Sequence, residues 1–196
     1  MMRIGIVGKG YFGKKIHNTL KDKYDIRFFT GKDMDITYEI DWVVIATSTS
    51  SHYDLCKQFI DNGVNVFVEK PMTLSYNDSN ELIKLAKTKG VKIYIDDVFL
   101  YTPIIHQIPK TLEPIEFEWK KYGSFNDTIY NALTYHDIYI ALHLGYDLSS
   151  TKVQFDYNRV NEKKFTIGDV TFTYDRTNSK KEKVVHLSLI HIDAAD

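Results

Sequence analysis

Three glycines, Gly8, Gly10 and Gly13, stand at G-x-G-x-x-G spacing directly after the apolar run Met2-Arg3-Ile4-Gly5-Ile6-Val7. The run reads as a short strand, and the residues from Lys14 onward read as a helix. This pattern constrains the chain more than any other. Gly8 suits a tight turn, Gly10 a close backbone approach to a pyrophosphate, and Gly13 close helix–strand packing. The helix start behind the loop offers free N–H groups and the positive end of a dipole to a phosphate. Glycine turns also occur in purely structural loops. It is the position between strand and helix that points to dinucleotide binding.

The residues beyond the loop continue the alternation. A first helix is expected from Lys14 to about Lys21, with Ile16 and Leu20 inward, and a second strand over Tyr24–Phe29. At that strand's end, about twenty residues past the loop, NAD-binding domains place an acid on the ribose hydroxyls. Here the positions read Thr30-Gly31-Lys32, and Asp33 comes late. A hydroxyl and a lysine suit a 2′-phosphate, and they equally suit an ordinary turn, so NAD and NADP both stay open. Asp41–Ala46 is a continuous apolar run, as in a parallel strand covered on both faces. Thr47-Ser48-Thr49-Ser50-Ser51-His52 leads into a helix stopped by Gly63. A strand over Val64–Val68 ends in Glu69-Lys70-Pro71. Ser75 and Asp78 then open a helix in a capping arrangement, with Leu82, Ile83, Leu85 and Ala86 inward and Gly90 as its end. Val91–Ile95 is a further strand, ending in Asp96-Asp97. The fold class is α/β: an N-terminal Rossmann parallel sheet with ligands gathering at the carboxyl ends of its strands.

The second half reads as a small α+β domain. Pro103, Pro109 and Pro114 punctuate the way into it, which sets expected domains of 1–103 and 104–196. Ile115–Lys120 alternates apolar and charged residues. Gly123–Asp127 is a loop, and Tyr130–Leu144 is a helix with Leu133, Ile140 and Leu144 inward and Gly145 as its stop. Further alternating segments run through Val153–Tyr157, Phe165–Tyr174 and Val185–Leu189. Together they predict an open, mostly antiparallel sheet carrying that helix.

Composition excludes several function classes. A net charge of -1 provides no field for nucleic acid or an anionic membrane. Lys180, Lys181 and Lys183 form a broken basic cluster that reads as a solvated turn. The single cysteine, Cys56, rules out an internal disulfide, fits a reducing compartment, and sits in a helical pattern as a small buried side chain. With no leader pattern and no run of membrane-spanning length, a cytoplasmic protein is the expectation. No metal set emerges. His136 and His143 stand two helical turns apart, and His186 and His191 are read on opposite faces of one strand.

Gly8–Gly13, Ala46-Thr47 through His52, and above all Val66-Phe67-Val68-Glu69-Lys70-Pro71 resemble the Gfo/Idh/MocA oxidoreductases. Gly10–Lys14, Ser51–Leu55 and Phe99-Leu100-Tyr101-Thr102-Pro103 are similar to that family's branch oxidising UDP-N-acetyl sugars at the 3-position. The resemblance is strong to about Pro103 and thinner afterwards. It implies an NAD or NADP site formed by Gly8, Gly10, Tyr11, Phe12, Gly13, Thr30, Gly31, Lys32, Thr47, Thr49, His52, Glu69 and Lys70. It also implies that Lys70 reaches the hydroxyl-bearing carbon of a sugar or nucleotide sugar, with Pro71 holding it in place. His136-Asp137-Ile138 resembles the helix carrying the family's catalytic histidine, which makes His136 the expected general base. A surface lysine paired with Glu69 and a packed histidine are the ordinary readings of the same two residues.

Two positions depart from the family. Ala132 stands four before the histidine, where many members have aspartate, and Tyr139 replaces a recurring acid three after it. Asp137 or Asp97 would then have to supply the acid. The second domain is also expected to be shortened, with its exposed sheet face making a homo-oligomer. Two other readings fit the same departures: a catalytically silent dinucleotide-binding sensor or assembly protein, and a small imine or enone reductase.

Overall fold

The computed structural model describes residues 1–29, 38–110, 113–122, 128–149, 152–187 and the backbone of 190–193. The chain divides into two compact units, Met1–Asp96 and Asp97–Asp196.

The first unit is a five-stranded parallel sheet in the order β2-β1-β3-β4-β5. Its strands are β1 (Arg3–Val7), β2 (Asp25–Phe29), β3 (Trp42–Ile45), β4 (Asn65–Val68) and β5 (Ile93–Ile95). Helices α1 (Tyr11–Leu20), α2 (His52–Asp61) and α3 (Tyr76–Lys89) connect them. The apolar runs are buried from both sides, as parallel strands require. Ile4, Ile6 and Val44 pack with Ile16 and Leu20 of α1. Val43, Ile45, Val66 and Val68 pack with Cys56, Phe59 and Ile60 of α2 and Leu82 and Ala86 of α3.

The caps follow the sequence. Ser75 accepts the Asp78 N–H at 3.4 Å, and Gly90 ends α3 at φ 69°. Ile83 departs from its expected inward place: it is 42% exposed, because Leu82, Leu85 and Ala86 already define the inner stripe and Ile83 lies a sixth of a turn or more beyond it.

The second unit holds a six-stranded sheet in the order β11-β10-β6-β9-β8-β7. Its strands are β6 (Ile115–Lys120), β7 (Gln154–Asn158), β8 (Glu162–Ile167), β9 (Val170–Asp175), β10 (Glu182–Leu187) and β11 (Ile190–Asp193). All neighbours are antiparallel except β6 and β9. A π-helical turn over Tyr130–Thr134 runs into α4 (Tyr135–Leu144), which Gly145 ends at φ 103°. Leu133, Ile140 and Leu144 share one core with Phe117, Phe165, Phe172 and Val185 from the inner sheet face. Phe99 and Leu100 pack against this same core.

The outer face is a charged ladder. Lys120 pairs with Glu118 at 3.0 Å and with Glu182 at 3.1 Å, and His186 Nε2 lies 3.1 Å from Glu118.

Two expectations change here. His186 and His191 do not share a strand: they are cross-strand partners on β10 and β11, which pair antiparallel. Lys183 is no part of a solvated turn. Alternation along β10 turns it inward with Val185, and it is only 7% exposed.

Candidate functional site

The glycine loop joins β1 to α1 at the point where strand order reverses between β1 and β3, the usual ligand crevice of an open parallel sheet. Its glycines divide the work. Gly8 has φ 107°, and a Cβ there would collide with the Ala46 carbonyl. A Cβ on Gly13 would collide with the Gly8 carbonyl, since α1 begins hard against the loop. Among the described residues nothing lies within 4 Å of a Cβ placed on Gly10. Gly10 is the N-cap of α1, with no side-chain cap and no acid in the first turn. The first-turn N–H groups of Tyr11, Phe12 and Gly13 have no intrahelical acceptor. The open space at Gly10 and the uncapped helix start fit the pyrophosphate of a dinucleotide.

Thr47, Thr49, His52, Glu69 and Lys70 follow the carboxyl ends of β3 and β4. Thr47 Oγ1 and Ser51 Oγ are 2.8 Å apart. His52 is 1% exposed, and its ring spans two backbone carbonyls: Nδ1 is 2.9 Å from Pro71 O and Nε2 is 3.3 Å from Thr47 O. From that buried place His52 ties the segment after β4 to the segment after β3, which fixes the backbone beside Lys70. The Lys70–Pro71 bond is cis.

Glu69 and Asp96 end adjacent strands, one residue past the Val68–Ile95 pair of the register. The Glu69 N–H bonds to Ile45 O at 3.1 Å, and the Asp96 N–H bonds to Val68 O at 2.9 Å. Burial, then the neighbouring Asp96 carboxylate, pushes the Glu69 carboxyl up to about 8, against an opposing pull from Lys70. Among the described residues Glu69 Oε1 is buried and has no hydrogen-bond partner. Asp96 is thus a neighbour of Glu69 at the carboxyl end of β5, where the sequence reading sets Asp96-Asp97 among the strand ends at which ligands gather. Thr30, Gly31, Lys32 and Asp33 lie outside the described residues.

In the second unit, His136 is 8% exposed and set among aromatic rings. Phe99 meets it edge-on at 4.7 Å, Tyr135 edge-on at 5.8 Å, and Trp119 lies parallel at 6.4 Å between centroids. Of the two carboxylates expected to replace the absent helix acid, Asp137 is fully engaged. It is 0% exposed and receives Trp119 Nε1 at 3.1 Å, the Tyr174 hydroxyl at 3.0 Å and Lys183 at 2.9 Å. Asp97 instead is hydrogen-bonded to Tyr139, the residue that takes the acid's place. Among the described residues no group of histidine, cysteine or acidic side chains is arranged to hold a metal.

Comparison with known proteins agrees with this geometry. Residues 17–96 match the family described as "Oxidoreductase family, NAD-binding Rossmann fold", Gfo/Idh/MocA. Over 107 residues the chain is 29% identical to 2,7-anhydro-N-acetylneuraminate hydratase of Mediterraneibacter gnavus, covering 44% of this chain and 29% of that protein. Over 52 residues it is 44% identical to scyllo-inositol 2-dehydrogenase (NAD(+)) of Bacillus subtilis, covering 26% of this chain and 15% of that one. These matches span a third or less of those relatives' lengths. The fold extends further. The solved structure of UDP-N-acetylglucosamine 3-dehydrogenase GnnA from Acidithiobacillus ferrooxidans superimposes with a TM-score of 0.80 at 17% identity, over 95% of this chain and 73% of that one. Residues 17–96, which include Glu69-Lys70-Pro71, are thus similar to the Gfo/Idh/MocA oxidoreductases with their NAD-binding Rossmann fold.

Proposed function

We propose that this protein is an NAD(P)-dependent dehydrogenase acting on a hydroxyl-bearing carbon of a sugar, a nucleotide-linked sugar in the first instance. The observation that carries the reading is the meeting, at the carboxyl end of one sheet, of an open phosphate cradle at Gly10 with Lys70 behind Glu69. Nicotinamide supplies the hydride acceptor when the cofactor is bound. The first-turn N–H groups of α1 hold the pyrophosphate, and Lys70 orients and polarises the reacting hydroxyl through its ammonium donors. His52 keeps the Lys70–Pro71 backbone in register by its bond to Pro71 O. His136 takes the hydroxyl proton as general base. The sugar dehydrogenases among the similar proteins support this substrate class.

The test is direct. The protein is mixed with NAD or NADP and a panel of UDP-sugars and inositols, and reduced cofactor is followed by its absorbance. Lys70→Ala should lower turnover roughly 100-fold while cofactor affinity stays within a factor of a few. Measured cofactor binding without turnover of any panel member sinks the reading in favour of a silent dinucleotide-binding protein.

A further inference from the structure

Three neighbouring strands send polar groups to one carboxylate of α4. Lys183, Trp119 and Tyr174 stand side by side across β10, β6 and β9, since Lys183 pairs with Trp119 and Trp119 with Tyr174 in the register. Alternation turns all three to the inner face. Their polar ends converge on Asp137. Trp119 Nε1 donates to Oδ1 at 3.1 Å, the Tyr174 hydroxyl donates to Oδ2 at 3.0 Å, and Lys183 Nζ stands 2.9 Å from Oδ1. Asp137 directly follows His136, and successive side chains of an α-helix point about 100° apart. A helix tied at Asp137 to three strands cannot roll about its axis. The direction in which His136 leaves it is therefore set as well.

The same lysine fixes the walls around the histidine. Its ammonium lies 4.2 Å over the Phe99 ring and 4.4 Å over the Trp119 ring, and these two rings meet edge-on at 5.7 Å. Both rings also face His136, Phe99 edge-on at 4.7 Å and Trp119 parallel at 6.4 Å. A buried cation attracts the faces of both rings, so Lys183 holds them in the orientation that seats the imidazole.

Stability does not account for the ion pair. Two buried charges return little of their desolvation cost, and apolar side chains of similar volume would serve the core as well. What the charges add is direction. Hydrogen bonds to a carboxylate select one geometry, whereas apolar contacts tolerate several. The pair is also neutral as a unit, so it orients His136 without setting a net charge beside it.

We propose that Asp137, Lys183 and Trp119 are positioning residues for His136, with Asp137 fixing the roll of α4 and Lys183 fixing the two rings against which the imidazole is seated. This rests on the dehydrogenase reading for what His136 does, and adds what holds it ready.

The test separates position from stability. It uses the full chain saturated with NAD, with UDP-N-acetylglucosamine and scyllo-inositol as probes. The double change Lys183→Met, Asp137→Leu replaces the ion pair by apolar side chains. Trp119→Phe keeps an aromatic ring and removes the Nε1 donor. Both are compared with the parent by urea unfolding, by steady-state kinetics and by the His136 Cε1–H resonance in a 13C-edited spectrum. His136→Gln identifies that resonance among the seven histidines. In the folded double variant the His136 signal should move towards that of a histidine in water, because the rings beside it are no longer held. Its kcat for whichever probe the parent turns over should fall roughly 10- to 100-fold, the cost of a misplaced catalytic group. KM and NAD affinity should stay within about twofold. Trp119→Phe should move the same signal and lower kcat by a smaller factor. An unmoved resonance in both variants overturns the positioning role, whatever their stability. A moved resonance with unchanged kcat overturns its link to catalysis. If the double variant does not fold, Trp119→Phe decides by the same two readings. A parent that binds NAD but turns over neither probe overturns the dehydrogenase reading, and the seating of the ring then stands or falls by the resonance alone.

Discussion

Lys183 Nζ stands 2.9 Å from Asp137 Oδ1, and neither side chain is more than 8% exposed. Trp119 and Tyr174 complete the shell around the carboxylate, while the ammonium lies 4.2 Å over the Phe99 ring and 4.4 Å over Trp119. Burial raises the Asp137 pKa, and Lys183 and the donors pull it back. A buried pair of this kind contributes little net stability, but a widowed partner is expensive. Lys183→Met should therefore destabilise the second unit by about 3–5 kcal/mol, and the double change Lys183→Met, Asp137→Leu should recover most of the loss. Urea unfolding of the three proteins checks this. Equal stability of the single and double variants would show that the charges are not coupled.

The glycine loop separates folding from binding. Gly13→Ala puts a methyl into the Gly8 carbonyl and should cost about 1–3 kcal/mol of stability. Gly10 has φ -66° and ψ -174°, extended backbone open to any residue, so Gly10→Ala should change stability by no more than about 1 kcal/mol. The added methyl occupies the cradle, so NAD affinity should fall at least roughly 10-fold, as expected when one backbone contact to phosphate is blocked. Melts and cofactor titrations on both variants separate the two effects.

Glu69 gives the first unit a pH dependence. Its folded carboxyl titrates at about 8 against an ordinary 4.5, so folding favours the protonated form. The stabilising contribution is complete below the ordinary value and is lost as pH rises from there through about 8. With its partial exposure to water, the loss is on the order of 1–3 kcal/mol. Chemical unfolding at pH 6 and pH 9 should show this decline in the parent, and Glu69→Gln should flatten it. A parent curve unchanged across that interval would mean that Glu69 is ionised throughout.

Cys56 is 0% exposed in α2, and burial pushes its thiol up to about 12. The native protein should resist iodoacetamide and label only as the first unit opens, which makes alkylation a reporter for that unit. Rapid labelling under native conditions would place the thiol at the surface.

Most of the first unit was legible because its signals are local. A glycine spacing, a capping serine and a five-residue apolar run each fix backbone geometry within a few positions, and Ser75, Gly90 and the glycine loop stand where those signals put them. Ile83 was misread because an apolar residue just off the stripe looks the same in sequence as one on it. In the second half, Val170, Phe172 and Tyr174 announced a half-buried strand by alternation. Lys183 did not announce its burial, because the pairing that pulls it inward comes from Asp137, forty-six positions earlier.

The sequence by itself determined the α/β fold, the place of the glycine loop and, through Glu69-Lys70-Pro71, the likeness of residues 17–96 to an NAD-binding oxidoreductase family, since each rests on neighbours in the chain. Only the tertiary structure decided which carboxylates are spoken for. Asp137 is saturated by three donors, Glu69 shares its surroundings with Asp96, and Asp97 stands behind Tyr139. A carboxylate's chemistry is set by what surrounds it in space, and those surroundings come from separate strands and helices that no local spacing relates.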